Sequence, residues 1–162
     1  LRNPATRPFF ERLKMQLHIG TKQVTAQPMT RQAYNDYRGW TLPADEDGTD
    51  EGYLVEYLDG GKPNHPAHAG YISWSPKAQF DAAYRPTTGM TFGLAIEALK
   101  AGKRVARAGW NGRGMWVEYA PAKDFSFSEL NPHFVIKNTN NSFSTWVPSI
   151  NDCLADDWQI VS

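Results

Sequence analysis

Cysteine occurs once, at Cys153, so the chain can form no internal disulfide and no cysteine-based zinc cluster. That usage fits a reducing compartment. An excess of charge is missing as well, since Lys and Arg total 17 and Asp and Glu total 17. A balanced chain has neither the basic surplus of a nucleic-acid binder nor the acidic surplus of a DNA mimic, so any electrostatic site must be local. No apolar run approaches the ~20 residues that cross a bilayer, and no signal-peptide pattern opens the chain, so a soluble, intracellular protein without a membrane partner is expected. Catalytic signatures are equally scarce. Cys153 has no histidine partner in sequence, His133 stands at a strand edge without a motif, and there is no nucleophile elbow, paired-carboxylate motif or metal-ligand cluster. These gaps predict a binder with no catalytic residue, no metal and no cofactor.

What remains is globular in composition, with 41% hydrophobic and 21% charged residues in a chain of 162. That length allows one domain or two small ones. Aromatics reach a high 13% and include 6 Trp, most of them expected in the core or an interface, with some excess for stacking on a ligand.

Taken in order, residues 1–14 hold Arg2, Arg7, Arg12 and Lys14 among prolines and read as an upstream tail, with Met15 as a natural start. A first module is expected over residues 15–86. Residues 18–26 alternate enough for a strand, Thr30 caps a short helix through Tyr34 and Tyr37, and Gly39 ends it. The acidic stretch 45–52 lacks the bidentate glutamate of a calcium loop and reads as a solvated turn. Strands follow at residues 52–58 and 70–74. Ser75-Pro76 starts a helix leading to Phe80 and Tyr84. His65 and His68 lie in a Pro/Gly-rich loop without evident partners. With its Pro28-Met29-Thr30-Arg31, Tyr37-Arg38-Gly39-Trp40 and Ser73-Trp74-Ser75-Pro76, this half resembles a module that recurs in tailed-phage genomes, a likeness that implies origin and no chemistry.

After the linker 85–89, a second module is expected over residues 87–162. Thr91 caps a helix whose Phe92, Ile96 and Leu99 make one apolar stripe, and Gly102 stands where a left-handed cap belongs. Residues 103–107 and 115–119 pair as strands around a tight turn at Asn111-Gly112 and Arg113-Gly114. Residues 133–137 and 143–147 pair around 138–141, residues 125–127 are irregular, and 158–161 is a last strand. The expected class is α+β, with a short helix packed on an antiparallel sheet.

The chemistry concentrates at the basic hairpin, where Lys103, Arg104, Arg107 and Arg113 accompany Trp110 and Trp116. Guanidinium groups grip phosphate oxygens and indoles stack on bases, so a nucleotide suits this set; a hairpin with its charges in water and its tryptophans buried accounts for the same spacing. The Gly109, Gly112 and Gly114 run is not a P-loop, because no lysine-hydroxyl pair follows and a strand comes next. After Trp146, the residues Ser149, Asn151 and Asp152 suit ribose hydroxyls or a base edge, or equally the capping of their own turn. Asp156 and Asp157 read as turn residues.

The run 90–103, from Met90-Thr91-Phe92-Gly93 to Gly102-Lys103, then Arg107-Ala108-Gly109-Trp110-Asn111-Gly112-Arg113-Gly114-Met115-Trp116, and Trp146-Val147-Pro148-Ser149 with Asp152, Leu154, Ala155, Asp157 and Trp158, is similar to the second type of phage Thoeris anti-defence sponge. The likeness covers nearly all of residues 90–161. It implies a non-enzymatic protein acting in the cytoplasm of an infected bacterium, which sequesters a cyclic ADP-ribose-type signal, glycocyclic ADP-ribose, with cyclic di- or trinucleotides of the CBASS system as further ligands. It also implies a homotetramer with pockets between subunits. Carried over, Trp110 with Trp116 or Met115 would sandwich the base, Asn111 and the nearby backbone would meet polar edges, and Asn151 and Asp152 would contact ribose or base; Gly112, Arg113, Trp146 and Ser149 complete the expected ligand-binding set. Two other readings share these residues: an enzyme degrading the same signal through His133 or Asp152, and a protein inhibitor of a defence nuclease of the anti-CRISPR kind.

Overall fold

The computed structural model describes residues 16–125 and 128–161, so the tail at 1–14, Met15 and part of the irregular stretch 125–127 lie outside the described residues. The first module is built from β1 (Val24–Pro28), α1 (Arg31–Arg38), β2 (Gly52–Tyr57), β3 (Tyr71–Pro76) and α2 (Lys77–Ala83). Its strands form an antiparallel sheet in the order β1-β2-β3. β1 begins at Val24, not at His18, because pairing starts where Tyr57 of β2 is opposite; Leu17 and Ile19 find no neighbour and stay exposed. Helix α1 follows the expected signals. Thr30 accepts from the Ala33 amide at 3.2 Å, and Gly39 takes the left-handed conformation at φ 67. Pro76 sits at the cap of α2 instead of in its first turn. The core of the module is Tyr34, Leu54 and Ile72, flanked by Met29 and Trp74.

Two loops of this module differ from the sequence expectation. The acidic turn is tied to the helix, with Arg31 bonded to Glu46 at 2.8 Å and to Asp50 at 3.2 Å. His68 does have partners. Its Nδ1 lies 2.9 Å from Glu56, its Nε2 lies 2.9 Å from the Tyr37 hydroxyl, and His65 stacks on the Tyr37 ring with centroids 4.5 Å apart. Glu56 is twelve residues back in the chain, and only the β2-β3 connection folds it over the histidine.

The second module contains α3 (Phe92–Lys100), β4 (Arg104–Arg107), β5 (Trp116–Ala120), β6 (Lys123–Phe125), β7 (Ser128–Leu130), β8 (His133–Lys137), β9 (Phe143–Trp146), α4 (Ile150–Cys153) and β10 (Trp158–Val161). Five strands form one antiparallel sheet in the order β10-β4-β5-β8-β9, while β6 and β7 make a small hairpin of their own that the sequence had not marked. Register lines up Ile160, Val105, Val117 and Ile136 as one row across the sheet. Helix α3 covers that row. Thr91 caps it, and Ala95, Ala98 and Leu99 are its buried residues, so the contact face centres on two alanines that let the helix approach, with Phe92 and Ile96 at the margin. Trp158 is fully buried at the middle of this core. The opposite sheet face carries Arg104, Trp116, Glu118, Lys137 and Phe143, because side chains alternate along each strand.

Candidate ligand-binding site

Two loops meet at the helix side of the second sheet: residues 108–115 between β4 and β5, and residues 147–157 between β9 and β10. The first is not the tight turn its glycines suggested. It spans eight residues, and of the three glycines only Gly114 has a positive φ, at 72°. Gly112 is needed for room instead, since a Cβ there would meet Met115 Sδ and lie 2.6 Å from the Thr139 methyl.

Asp152 fastens the loops together. The helix α4 is a capping box, in which Ser149 Oγ accepts from the Asp152 amide at 3.1 Å and the Asp152 carboxylate accepts from the Ser149 amide at 3.0 Å. The same carboxylate accepts from Ser149 Oγ at 2.7 Å, from Arg107 Nη1 at 3.1 Å and from Trp110 Nε1 at 3.1 Å. Burial alone pushes this carboxyl up, but the bonds from Ser149, Trp110 and Arg107 together outweigh it and hold it below the usual carboxylate range. Arg107 also donates through Nε to Asp157 at 2.8 Å, and Asp157 accepts from the Gly109 amide at 2.7 Å. The bond from Arg107, helped by that amide, keeps Asp157 low in turn.

Trp110 is half-buried and oriented by this network. Its ring meets Trp146 and Trp158 edge to face, with centroids 6.1 Å and 5.4 Å away, and Phe92 closes the aromatic group on Trp158 at 5.5 Å. Trp158 in turn donates its indole N–H to the Asp152 carbonyl at 3.0 Å. Such a pinned ring costs little further ordering when a flat ligand meets its free surface.

The sequence-derived site residues therefore divide. The fold brings together Trp110, Trp146, Ser149, Asn151 and Asp152, with Asn111 next to the anchored indole. Asn111, Arg113 and Asn151 are exposed, and Arg113 has no carboxylate partner among the described residues. Met115 packs against the core beside Gly112. Trp116 is not with them. Its neighbour Val117 faces α3, so Trp116 points the other way, where the Arg104 guanidinium lies 4.1 Å from its ring and Phe143 5.8 Å away. A sandwich between Trp110 and Trp116 of one chain is thus ruled out by strand alternation.

The basic cluster is thinner than its composition. Arg104 is paired with Glu118 at 3.2 Å and Arg107 with two aspartates, leaving Lys103 and Arg113 without carboxylate partners among the described residues. Sequence reading gave Asp157 and Trp158 no part in the site, although Asp157 orients Arg107 and Trp158 supplies the wall behind Trp110. Their signal was a fifty-residue pairing that no local pattern carries. Five clefts among the described residues lie in the first module or between the modules, and these five are not lined by residues 108–116 or 146–158. Beside the site, Val147, Ile150 and Leu154 are exposed apolar side chains. None of the helices among the described residues is long and apolar enough to cross a membrane.

Comparison with known proteins places residues 90–161 in the Tad2-like family, described as a Thoeris anti-defense 2-like domain. One curated relative is Thoeris anti-defense 2 of Bacillus phage SP01, 45% identical over 87 residues, with the match covering 46% of this chain and 98% of the relative. The first module falls outside the family match.

Proposed function

Since the chain belongs to the Thoeris anti-defense 2 family and so has a phage anti-defence role, we propose that it performs that role by binding a cyclic ADP-ribose-type nucleotide without cleaving it. The observation that carries this reading is Trp110 pinned to Asp152, on the two loops that also carry the exposed side chains of Asn111, Arg113 and Asn151. The indole offers a rigid face for the base, Arg113 an unpaired guanidinium for the pyrophosphate, and the two amides contact edges and hydroxyls. Asp152 and Ser149 bond chiefly to one another and to Trp110 and Arg107, so they shape the site instead of contacting ligand. The hydroxyl–carboxylate contact beside Trp110, Ser149 to Asp152, is locked in the capping box, and its carboxylate is held below the usual range and so is a weak base, which supports sequestration over turnover.

One chain supplies one wall only. The second wall belongs to another protomer in this reading, and Val147, Ile150 and Leu154 are the apolar surface such a partner covers in a homotetramer. The setting is the cytoplasm of the infected cell, where lowering the free signal silences its effector. Glycocyclic ADP-ribose is the first ligand to test, with cyclic di- and trinucleotides beside it.

The experiment is calorimetric titration with each ligand, followed by heat denaturation and chromatography of the released material. Intact ligand recovered in stoichiometric amount supports sequestration. A cleaved product overturns it in favour of an enzyme. Absence of binding to every cyclic nucleotide, with inhibition of a defence protein retained in Trp110→Ala, overturns it in favour of a protein inhibitor.

A further inference from the structure

The first module, which the family match leaves out, has a cleft of about 410 Å³ lined by Arg31, Tyr34, Asn35, Trp40, Tyr71 and Trp74 among others. Its size falls within the small-molecule range of roughly 300–1,000 Å³. We propose that this cleft binds an uncharged pyranose sugar.

The first argument is an unpartnered acceptor. Asn35 is only 8% exposed, its backbone carbonyl accepts from the Trp40 amide at 2.8 Å, and its Nδ2 donates to the Arg31 carbonyl at 2.9 Å, which fixes which way the amide points. Oδ1 has no donor among the described residues and is not sealed from solvent, and Asn35 is one of the residues that line the cleft. Nearly buried acceptors of this kind call for a donor from a ligand or water.

Aromatic surface is the second. Trp40 is 52% exposed and Tyr71 46% exposed, large values for rings at the edge of a folded core. The Arg38 guanidinium lies 4.2 Å from the Trp40 ring and occupies one of its faces, while Tyr34 meets the same ring edge-on, at 82° and 6.2 Å. What remains of Trp40 is one open face, on which no other ring stacks among the described residues. A single indole face suits the C–H side of a sugar ring, whereas a base is held best between two planes.

Charge supplies the third. Arg31 is 4.3 Å from the Trp74 ring and is neutralised by Glu46 at 2.8 Å and Asp50 at 3.2 Å. Asn64 is spent on both the amide and carbonyl of Ile72, each at 2.8 Å. The one cation in the lining, Arg31, is therefore paired, while Arg38 outside the lining is stacked on Trp40 and bonded to the Tyr34 hydroxyl at 3.4 Å; the lining itself presents acceptors, Asn35 Oδ1 and the second oxygen of Glu46, to a donor-rich neutral molecule. Sugar hydroxyls provide those donors.

Saturation-transfer NMR on the full chain tests this with four probes: methyl glucoside, methyl galactoside, methyl mannoside and N-acetylglucosamine, with adenosine and glucose 6-phosphate run in parallel. At least one neutral sugar should receive saturation at its ring C–H protons. Its affinity should fall about tenfold in Trp40→Ala and in Tyr71→Ala, exposed positions where the fold is checked by circular dichroism. Transfer to none of the four sugars overturns the proposal, as does binding that both variants retain. Stronger transfer to adenosine overturns the single-platform argument, and stronger transfer to the phosphorylated sugar overturns the charge argument.

Discussion

Replacing Asp152 with alanine removes one carboxylate and the four hydrogen bonds it accepts, from the Ser149 amide and hydroxyl, Arg107 and Trp110. The loss has two separable parts. Breaking the capping box of α4 costs ~1 kcal/mol, as other cap deletions do. Leaving the Trp110 indole N–H and one arm of Arg107 without an acceptor in a half-buried place costs a further ~1–3 kcal/mol. Arg107 keeps Asp157, so its charge is not stranded, and the sum stays near ~2–4 kcal/mol. For a folding unit the size of the second module, ~70 residues, that total lowers the melting temperature by roughly 8–32 °C. Near-ultraviolet circular dichroism during heating is the assay, because Trp110, Trp146 and Trp158 sit edge to face around this carboxylate and report its loss directly. Asp152→Asn should fall between the two, keeping an acceptor for Trp110 but presenting N–H groups to Ser149. If Asp152→Ala melts within about 2 °C of the parent with an unchanged aromatic signal, the carboxylate does not hold the loops and its assignment as the fastener is wrong.

Acid should loosen the same loops. Asp152 and Asp157 both have carboxyls held low in the folded state, so their stabilisation is complete above the ordinary carboxylate value of about 4 and is lost as pH falls through the lower folded values; melting curves between neutral pH and the acid limb check the sign, which reverses if stability rises on acidification. Gly112→Ala, which drives a Cβ into Met115 and Thr139, is expected to destabilise by ~1–3 kcal/mol in chemical denaturation, and a neutral effect would mean the loop gives way freely. Asn111→Ala and Arg113→Ala, both exposed, should weaken nucleotide binding by about tenfold each in calorimetry while leaving the melting temperature in place. Any loss of affinity in Trp116→Ala should accompany dissociation in analytical ultracentrifugation, and the same loss with assembly intact would contradict the strand alternation that separates it from Trp110.

Much of this molecule was written locally. Thr30 and Gly39 bracket α1, Thr91 opens α3, and the alternating runs at 133–137 and 143–147 became β8 and β9 with a turn at 138–141, because capping and side-chain alternation act over a few residues and leave a mark in any short window. The same local rules gave the α+β class. They also misplaced β1, whose start depends on Tyr57 opposite, and turned the stretch after Arg107 into a tight turn when its glycines serve close packing. Which tryptophan faces which way was legible only in part. The alternation of β5 opposes Trp116 to Val117, but nothing near Trp110 says that its indole N–H reaches Asp152, forty-two residues on.

By itself, the sequence determined most of the elements and the richness in indole and guanidinium groups, since each follows from residue type and short-range order. Tertiary structure alone decided which of those groups stay free. Pairing with Glu118, Asp152 and Asp157 withdraws Arg104 and Arg107 and leaves Arg113 without a carboxylate partner among the described residues, and Asn35, nearly buried, keeps an acceptor with no donor among them. A charge or an amide is available to a ligand only when no nearer partner satisfies it, and partners distant in the chain are brought close by folding.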